Sequence, residues 1–328
     1  MKHSPLLLPL LLGASTVAAQ APLGGVAYVT NEGSNDVSVV DLATRRVVAT
    51  IALDARPRGI QRSPDGRTVY VAVSDPEPTE ESSRDAIVAI DTRIRRIAAR
   101  YRAGSDPEQL ALSPDGRRLY AANEDAGTAT MLDLRTRRQL NTAVVGIEPE
   151  GVATSPDGRW AYVTAETSNS VSMIDAHTGE VVGNALVDMR PRAVAFAPDS
   201  RRAYVTAEIG GTLTALDTRT RAVAGTVDLE GRRGKPVGVV VAPDGRRVYV
   251  ANGATHAISV VDATRLAVVG RVEVGRRPWG IALTPGGAYL LSANGLSNDI
   301  SVVDTKSLRV VATIPVGQRP WGVVVVSR

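Results

Sequence analysis

Short apolar runs, separated by residues that favour turns, recur along the chain without helical periodicity. Residues 236–274 show the pattern clearly, since "VGVVV", "RVYVA", "AISVV" and "AVVGRVEV" each have the length and composition of a β-strand. Pro243, Asp244 and Gly245 separate the first two runs. Proline fixes φ, aspartate bonds its own backbone and glycine tolerates positive φ, so this tripeptide favours a turn. The segment therefore predicts a unit of four short strands.

This unit recurs through the sequence at a nearly fixed spacing. "AYVTNEGSNDVSVVD" occupies residues 27–41, and "VYVANGATHAISVVD" occupies residues 248–262. Seven copies end in an aspartate: Asp41, Asp91, Asp133, Asp175, Asp217, Asp262 and Asp304. Successive aspartates are 50, 42, 42, 42, 45 and 42 residues apart, so the repeat is 42 residues long. The extra residues fall in segments 75–85 and 230–235, which we predict to be surface loops.

Repeats of about 40 to 50 residues with four antiparallel strands are typical of β-propellers, in which neighbouring blades cover both faces of each sheet. The sequence therefore predicts an all-β fold, a seven-bladed β-propeller of four-stranded antiparallel blades. The second strands carry residues that we expect to pack between blades: Tyr28, Tyr70, Tyr120, Tyr162, Tyr204, Tyr249 and Leu291.

The two ends of the chain are expected to share one blade. The repeats begin at a second strand, "VAYVTN", and finish at a first strand, "PWGVVVV", in residues 320–326. The C-terminal strand would supply the inner edge and the N-terminal segment the other three strands. This arrangement closes the ring and removes exposed edges that would favour aggregation.

Residues 1–19 have the features of a signal peptide: a positive start at Lys2, an apolar run and small residues at Ala18 and Ala19. The run is shorter than the roughly 20 residues of a membrane span and is interrupted by Pro9. We expect cleavage after Ala19, a single propeller domain over residues 20–328, no membrane span, and a periplasmic or secreted location. The chain has no cysteine, so burial and hydrogen bonds must stabilise it.

The motif "AYVTNEGSNDVSVVD", the P-D-G-R turns and the V-G-x-R-P-W-G joints at residues 274–280 and 316–322 resemble the YVTN-repeat β-propeller family. The resemblance covers essentially all of the expected mature chain. Within that family the chain looks most like exported propellers associated with alcohol catabolism that depends on pyrroloquinoline quinone (PQQ). The resemblance implies the seven-bladed fold, and it implies a function only by association.

The sequence offers few groups for known catalytic motifs. Beyond the signal segment it has two histidines, His177 and His256, which we expect to be solvated turn residues at opposite ends of their blades. The absence of cysteine excludes a thiol nucleophile, a cysteine zinc site and C-x-x-C-H haem attachment. "DAHTGEVV" resembles the docking repeats of quinone-cofactor dehydrogenases but occurs once. We therefore assign no catalytic residue, cofactor or metal.

Charged and aromatic residues are predicted to surround one mouth of the central channel, where ligands of closed β-structures bind. The residues after each joint proline are Arg58, Glu108, Glu150, Arg192, Val237, Trp279 and Trp321. Glutamates at the ends of second strands share this face: Glu32, Glu124, Glu166 and Glu208. We predict that this mouth binds a ligand or protein partner. The alternatives are that the charges only form ion pairs or coordinate a hard cation, and that the tryptophans only pack.

Arginine-rich turns are predicted on the opposite face, in segments 44–46, 93–96 and 135–138 and at Arg117, Arg118, Arg246 and Arg247. A basic ring there would suit anionic lipid headgroups or nucleic acid, although a solvated face is the simpler interpretation. Base-stacking aromatic residues are missing from these turns, which argues against nucleic acid. The net charge of +4 is also too small to indicate a polyanion partner.

Two functions follow from the sequence. The first is a non-catalytic exported module that binds a periplasmic protein or small molecule, as an accessory to PQQ-dependent alcohol oxidation. The alternative is a lactone-opening hydrolase or isomerase, a chemistry that similar seven-bladed folds support with charged residues at the channel. The two differ in whether Arg58, Glu108, Glu150 and Arg192 surround an open pocket with an unpaired carboxylate or cancel one another in ion pairs.

Overall fold

A computed structural model describes residues 22–75 and 82–327, and these form 28 β-strands and one short 3-10 helix at Gly231–Arg233. The inner strands are β4 (Arg56–Arg62), β8 (Pro107–Leu112), β12 (Pro149–Thr154), β16 (Pro191–Phe196), β20 (Pro236–Val241), β24 (Pro278–Leu283) and β28 (Pro320–Val326). The second strands are β1 (Val26–Asn31), β5 (Thr68–Ser74), β9 (Arg118–Asn123), β13 (Trp160–Ala165), β17 (Arg202–Ala207), β21 (Arg247–Asn252) and β25 (Tyr289–Asn294).

The outer half of each blade contains the remaining strands. The third strands are β2 (Asp36–Asp41), β6 (Ala86–Asp91), β10 (Thr128–Asp133), β14 (Ser170–Asp175), β18 (Thr212–Asp217), β22 (Ala257–Asp262) and β26 (Asp299–Asp304). The outer strands are β3 (Arg46–Ala52), β7 (Arg96–Tyr101), β11 (Arg138–Val144), β15 (Val181–Leu186), β19 (Ala222–Asp228), β23 (Ala267–Glu273) and β27 (Arg309–Pro315). All neighbouring strands are antiparallel, and seven separate four-stranded sheets result.

The ring closes as the sequence predicts. Strand β28 pairs with β1 from Val26–Val326 to Asn31–Pro320, so both ends of the described chain lie in one blade. Inner strands of successive blades also contact one another around the axis, including β28 with both β24 and β4. The structure therefore confirms the all-β, seven-bladed propeller.

Packing between blades supplies the hydrophobic core. The second and third strands are almost fully buried, whereas the outer strands are mostly exposed. Tyr28, Tyr120, Tyr162 and Tyr204 are among the largest fully buried side chains, and Leu291 is buried in the seventh blade. The hydroxyl of Tyr120 donates to the carbonyl oxygen of Ala176 in the next blade at 2.8 Å. The inter-blade packing role predicted for this layer is thus confirmed.

The predicted signal peptide, residues 1–19, lies outside the described residues. The insertion at 75–85 is partly described, and the backbone N–H of Asp75 donates to a carboxylate oxygen of Asp85 at 2.9 Å, which joins its two ends. The other insertion contains the 3-10 helix. Among the described residues, no helix has the length and apolar character that crossing a membrane requires.

Glycine in the inner strands allows the blades to approach the axis closely. A Cβ at Gly151 would overlap the carbonyl oxygen of Arg192 and lie 2.9 Å from the Cα of Ala193 in the next blade. The hydroxyl of Thr164 spans the same contact, since it accepts from the Gly151 N–H at 2.8 Å and donates to the Arg192 carbonyl oxygen at 3.1 Å. A glycine at this position is therefore required by the backbone of the neighbouring blade.

Gly151→Ala is expected to lower the free energy of unfolding by about 1–3 kcal/mol, because the added methyl group must displace that backbone. Chemical denaturation measures the change. Gly183→Ala is the matched control, since a Cβ there would meet only ordinary contacts at 3.9 Å and its φ lies outside the left-handed region. Equal stability of the two variants would contradict this account of the inner strands.

Candidate functional site

Strained backbone at the joints between blades builds the mouth of the channel. Six residues that directly precede an inner-strand proline have φ between 44° and 60°: Asp106, Glu148, Arg190, Lys235, Arg277 and Arg319. Residues other than glycine rarely adopt positive φ, and a following proline favours extended backbone instead.

The same joints position the four glutamates. The carbonyl oxygens of Arg319, Asp106, Glu148 and Arg190 accept hydrogen bonds from the backbone N–H groups of Glu32, Glu124, Glu166 and Glu208, at 2.8 to 3.0 Å. Each bond joins the loop after a second strand to the start of the inner strand in the same blade. The glutamate side chains are therefore placed beside the charged residues that flank the joint prolines.

Arg58 is the centre of a first group of charges, the Arg58 cluster: Glu32, Arg56, Arg58, Asp106, Glu108 and Glu124. Its guanidinium forms an ion pair with Glu108, whose side chain is fully buried, and lies 3.4 Å from Glu32. Arg56 pairs with Asp106 at 3.0 Å. Most charges of this cluster are thus neutralised within it.

Arg192 is the centre of a second group, the Arg192 cluster: Glu150, Glu166, Arg190, Arg192, Glu208 and Arg277. The Arg192 side chain is 9% exposed, and its guanidinium pairs with Glu166 and, at 2.9 Å, with Glu150. Arg190 adds a contact of 2.6 Å to Glu166. The buried carboxylates of this cluster therefore contact the guanidinium groups of the two arginines on either side of the joint proline, Arg190 and Arg192.

Trp279 and Trp321 form an aromatic pair next to the Arg192 cluster. Their rings lie nearly parallel, at 17°, with centroids 6.2 Å apart. The guanidinium carbons of Arg192 and Arg277 lie 5.3 Å and 4.6 Å from the centre of the Trp279 ring, which is within the range of cation–π attraction. The mouth therefore has a charged arc and an aromatic arc, which meet at Arg192.

Glu124 differs electrostatically from the other mouth carboxylates. Burial, followed by the negative charge of Glu150, raises the pKa of Glu124 to about 7, and the positive charge of Arg58 opposes this shift only in part. The Glu124 carboxylate is 3.8 Å from the Arg58 guanidinium, and its side chain keeps 26% of its exposure. Glu124 therefore has a pKa near neutral pH and a partly exposed side chain.

A cavity of about 670 Å³ lies within the ring of inner strands, below the mouth. Four of the predicted site residues line it: Glu150, Arg192, Trp279 and Trp321. The other five lie in the surrounding ion-pair clusters: Arg58, Glu108, Glu124, Glu166 and Glu208. Ion pairs neutralise most of the charge at the mouth, and the Glu124 carboxylate lies 3.8 Å from the Arg58 guanidinium.

The sequence prediction missed the residues that precede the joint prolines. All seven of these positions carry charge: Arg56, Asp106, Glu148, Arg190, Lys235, Arg277 and Arg319. Arg56 and Asp106 complete the Arg58 cluster, and Arg190 and Arg277 complete the Arg192 cluster. The presence of a charged residue, of either sign, before every joint proline was the sequence signal that could have identified them.

Asp106, Glu108 and Glu124 bring carboxylate oxygens within 4.8 Å of one another, and oxygen ligands of this kind suit a hard cation such as Ca²⁺. Arg56 and Arg58 already contact two of these carboxylates. We assign no metal to this group, because the arginines supply the positive charge that an ion would bring.

One expectation about surface residues requires correction. His256 is partly buried, and its Nδ1 accepts a hydrogen bond from the backbone N–H of Arg277 at 3.2 Å, so it supports a joint of the mouth. His177 lies in an exposed turn, as expected. On the opposite face, Arg118 and Arg247 donate to the carbonyl oxygens of His177 and Thr305, at 3.1 and 2.9 Å. These two arginines of the basic ring therefore also link turns of different blades.

The fold and its channel define the class of the protein: a seven-bladed β-propeller with a charged and aromatic mouth. Within this class, two family models match parts of the chain. The model described as "Lactonase, 7-bladed beta-propeller" matches residues 184–313, and the cytochrome D1 haem domain matches residues 80–209. Each match covers less than half of the sequence. No curated protein matches the chain.

Solved structures of low sequence identity share the fold over almost their whole length. Hydrazine synthase of Kuenenia stuttgartiensis is 22% identical, with a TM-score of 0.72, and the match covers 90% of this chain and 99% of that one. A protein of unknown function from Desulfotomaculum acetoxidans is 18% identical, with a TM-score of 0.78 and coverage of 93% and 99%. A Bacteroides uniformis protein proposed to be a 6-phosphogluconolactonase is 20% identical, with a TM-score of 0.77 and coverage of 92% and 99%.

The match to a haem domain raises the question of whether the channel suits a haem. Protein ligands of haem iron are histidine, cysteine, methionine or tyrosine side chains. Among the described residues that line the cavity, none is of these four types. The channel of this chain therefore does not fit a haem, and we derive no chemistry from one.

Proposed function

We propose that the mouth opens lactones by hydrolysis, with Glu124 as the general base. The observation that carries the proposal is a partly exposed carboxyl group whose pKa is raised to about 7, placed beside a guanidinium at the mouth of a cavity. A general base works best when its pKa lies near the working pH. The partial match to a lactonase model and the shared fold of a proposed 6-phosphogluconolactonase support this chemistry.

The reaction uses groups that the mouth already contains. The Glu124 carboxylate takes a proton from water while the water oxygen attacks the carbonyl carbon of the lactone. Arg192 lines the cavity, and in this proposal its positive charge stabilises the negative charge that develops on the carbonyl oxygen. The ring C–O bond then breaks, and the proton held by Glu124 passes to the departing alkoxide. The product is the hydroxy acid, and the Glu124 carboxylate is regenerated.

Glu124→Gln is expected to lower kcat by about 10²- to 10⁴-fold, because the amide cannot accept the proton from water. In the unaltered protein, kcat is expected to rise with pH through about 7 and then level off, since only the ionised carboxylate is a base. Both effects can be measured with glucono-δ-lactone and γ-butyrolactone, by recording in a pH-stat the acid that their hydrolysis releases. The variant should show no such pH limb.

Two controls separate catalysis from folding. Glu148→Gln makes the same chemical change at an exposed position outside the Arg58 and Arg192 clusters, and it should leave kcat and the pH limb unchanged. Burial disfavours the charged form of Glu124, so Glu124→Gln should melt no lower than the unaltered protein above pH 7. Full activity of Glu124→Gln would refute the proposed base.

A second candidate is that the mouth binds a small molecule or periplasmic protein without catalysis. The observation that favours it is the extent of pairing, because Arg58 and Arg192 already neutralise buried carboxylates while Trp279 and Trp321 remain in the cavity wall. With this candidate function we also propose that the chain is exported and that it acts as an accessory to PQQ-dependent alcohol oxidation. Affinity capture from periplasmic extract, combined with absence of lactone hydrolysis, would support it over the first.

A further inference from the structure

The wall of the cavity changes character below the mouth. The fourth residue after each joint proline forms one ring of the channel wall, the alanine level. Four alanines and two valines occupy it: Ala111, Ala153, Ala195, Ala282, Val240 and Val324. Gln61 occupies the same level in the remaining blade. The next level down has Leu112, Phe196, Leu283 and Val325, together with the polar side chains of Arg62 and Thr154. The alanine level of the channel is thus lined mainly by small apolar side chains.

The dimensions of this space suit a long, slim group. Each inner strand has six or seven residues, which at a rise of about 3.3 Å per residue corresponds to about 20 Å. The cavity volume of about 670 Å³ lies within the range of small-molecule sites, roughly 300–1,000 Å³. A molecule that enters from the mouth can therefore extend into the channel well beyond the charged groups.

The chemistry of the wall limits what can occupy it. A polyhydroxylated ring at the alanine level would need a hydrogen-bond partner for each buried hydroxyl, since an unpaired buried polar group costs free energy. Among the described residues of that level, Gln61 alone offers a polar side chain. A hydrocarbon chain needs no such partner, and its burial there is favourable.

We infer that the substrate is a lactone that carries an unbranched hydrocarbon chain, with its ring at the mouth and its chain in the channel. This inference rests on the proposed function for the ring, while the chain is assigned from the wall of the channel. The carbonyl group of the ring lies beside Arg192, and the chain passes Ala195 and Ala282 towards Phe196. Trp279 and Trp321 cover the junction between ring and chain.

A series of γ-lactones with linear substituents from ethyl to decyl tests the inference. We expect kcat/KM to rise about fourfold for each added methylene, the equivalent of about 0.8 kcal/mol for each CH₂ buried, and to level off once the chain fills the channel. The rise should appear mainly in KM, because the chain lies away from the reacting atoms.

Filling the channel provides the matched comparison. Ala195→Phe and Ala282→Phe, in different blades, should each abolish the gain in kcat/KM from ethyl to decyl lactone. Ala222→Phe, an identical change at an exposed position of the outer strand β19, should have no effect. Melting temperatures show whether each variant folds. If one of the two channel variants does not fold, the test relies on the other.

The outcomes distinguish this inference from the proposed function. Hydrolysis at the same rate for every chain length would overturn the inference and leave the function intact. If no lactone is hydrolysed, the proposed function fails, and the same lactones are tested for binding by thermal shift. Stabilisation that grows with chain length and is abolished by Ala195→Phe would then still support a hydrocarbon-binding channel. Stabilisation that is absent or independent of chain length would overturn it.

Discussion

Truncation of the chain after Pro320 is expected to leave no folded protein. The deletion removes the rest of β28, which supplies the inner strand of the first blade and pairs with β1. Val323 and Val325 pack in one inter-blade cluster and Val324 and Val326 in another, so two interfaces of the ring lose their inner layer. Burial of one such side chain contributes roughly 1.5–3 kcal/mol, and four of them equal much of the total stability of about 5–15 kcal/mol of a typical domain.

Solubility after expression, circular dichroism and thermal melting measure this effect. Removal of the terminal residues 327–328 alone is the control, because it leaves every β28–β1 pair in place, and it should change melting little. The exposed edge of β1 should also make the longer truncation prone to aggregation. A soluble truncated protein with unchanged melting would show that closure of the ring by the two ends of the chain is not needed.

Arg192→Met is expected to lower the free energy of unfolding by about 3–5 kcal/mol. The variant keeps an apolar side chain of similar length but leaves the buried carboxylates of Glu150 and Glu166 without their nearest shared cation. Removal of one partner from a buried ion pair has an effect of this size, because the remaining charge stays in a poorly solvated site. Urea denaturation at neutral pH measures the difference.

The neighbouring arginine provides the comparison for this variant. Arg190 contacts the same Glu166 at 2.6 Å but is 45% exposed, so Arg190→Met should have an effect of about 1 kcal/mol or less. Equal effects of the two substitutions at neutral pH would contradict the assigned importance of burial.

The repeat explains why the fold was predictable from the sequence. A strand at a given place in the 42-residue unit meets the same neighbours in every blade, so seven copies of one pattern report one environment. Tyr28 and Tyr204 illustrate this, because both were expected between blades and both are fully buried. Closure followed from the same logic, since the last segment of the chain is the strand that the first copy lacks.

The functional groups were less predictable because they occupy the positions where the repeats differ. Glu108 and Glu150 both follow a joint proline, yet Glu150 lines the cavity while Glu108 is fully buried against Arg58. Glu108 contacts both Arg56 and Arg58, whereas Glu150 is paired with Arg192. Side-chain orientation in a crowded set of charges depends on all partners at once, and the spacing of a motif does not contain that information.

The raised pKa of Glu124 could not be predicted from the sequence either, because it also depends on the surrounding charges. Glu32, Glu124, Glu166 and Glu208 occupy equivalent places in their repeats, but a large upward shift to about 7 falls on Glu124. Its cause is burial next to the negative charge of Glu150, with the nearest guanidinium 3.8 Å away. Equivalent positions thus share a backbone and differ in the charges that surround it.

The division of the mouth into a charged arc and an aromatic arc has a stereochemical consequence. Seven identical blades would present every approaching molecule with a rotationally symmetric rim, and a guest could settle in seven equivalent poses. Guanidinium groups on one side and two parallel indoles on the other leave a single orientation in which both kinds of contact form. A guest that carries both an anionic and an apolar group would therefore be held at one rotational angle about the channel axis.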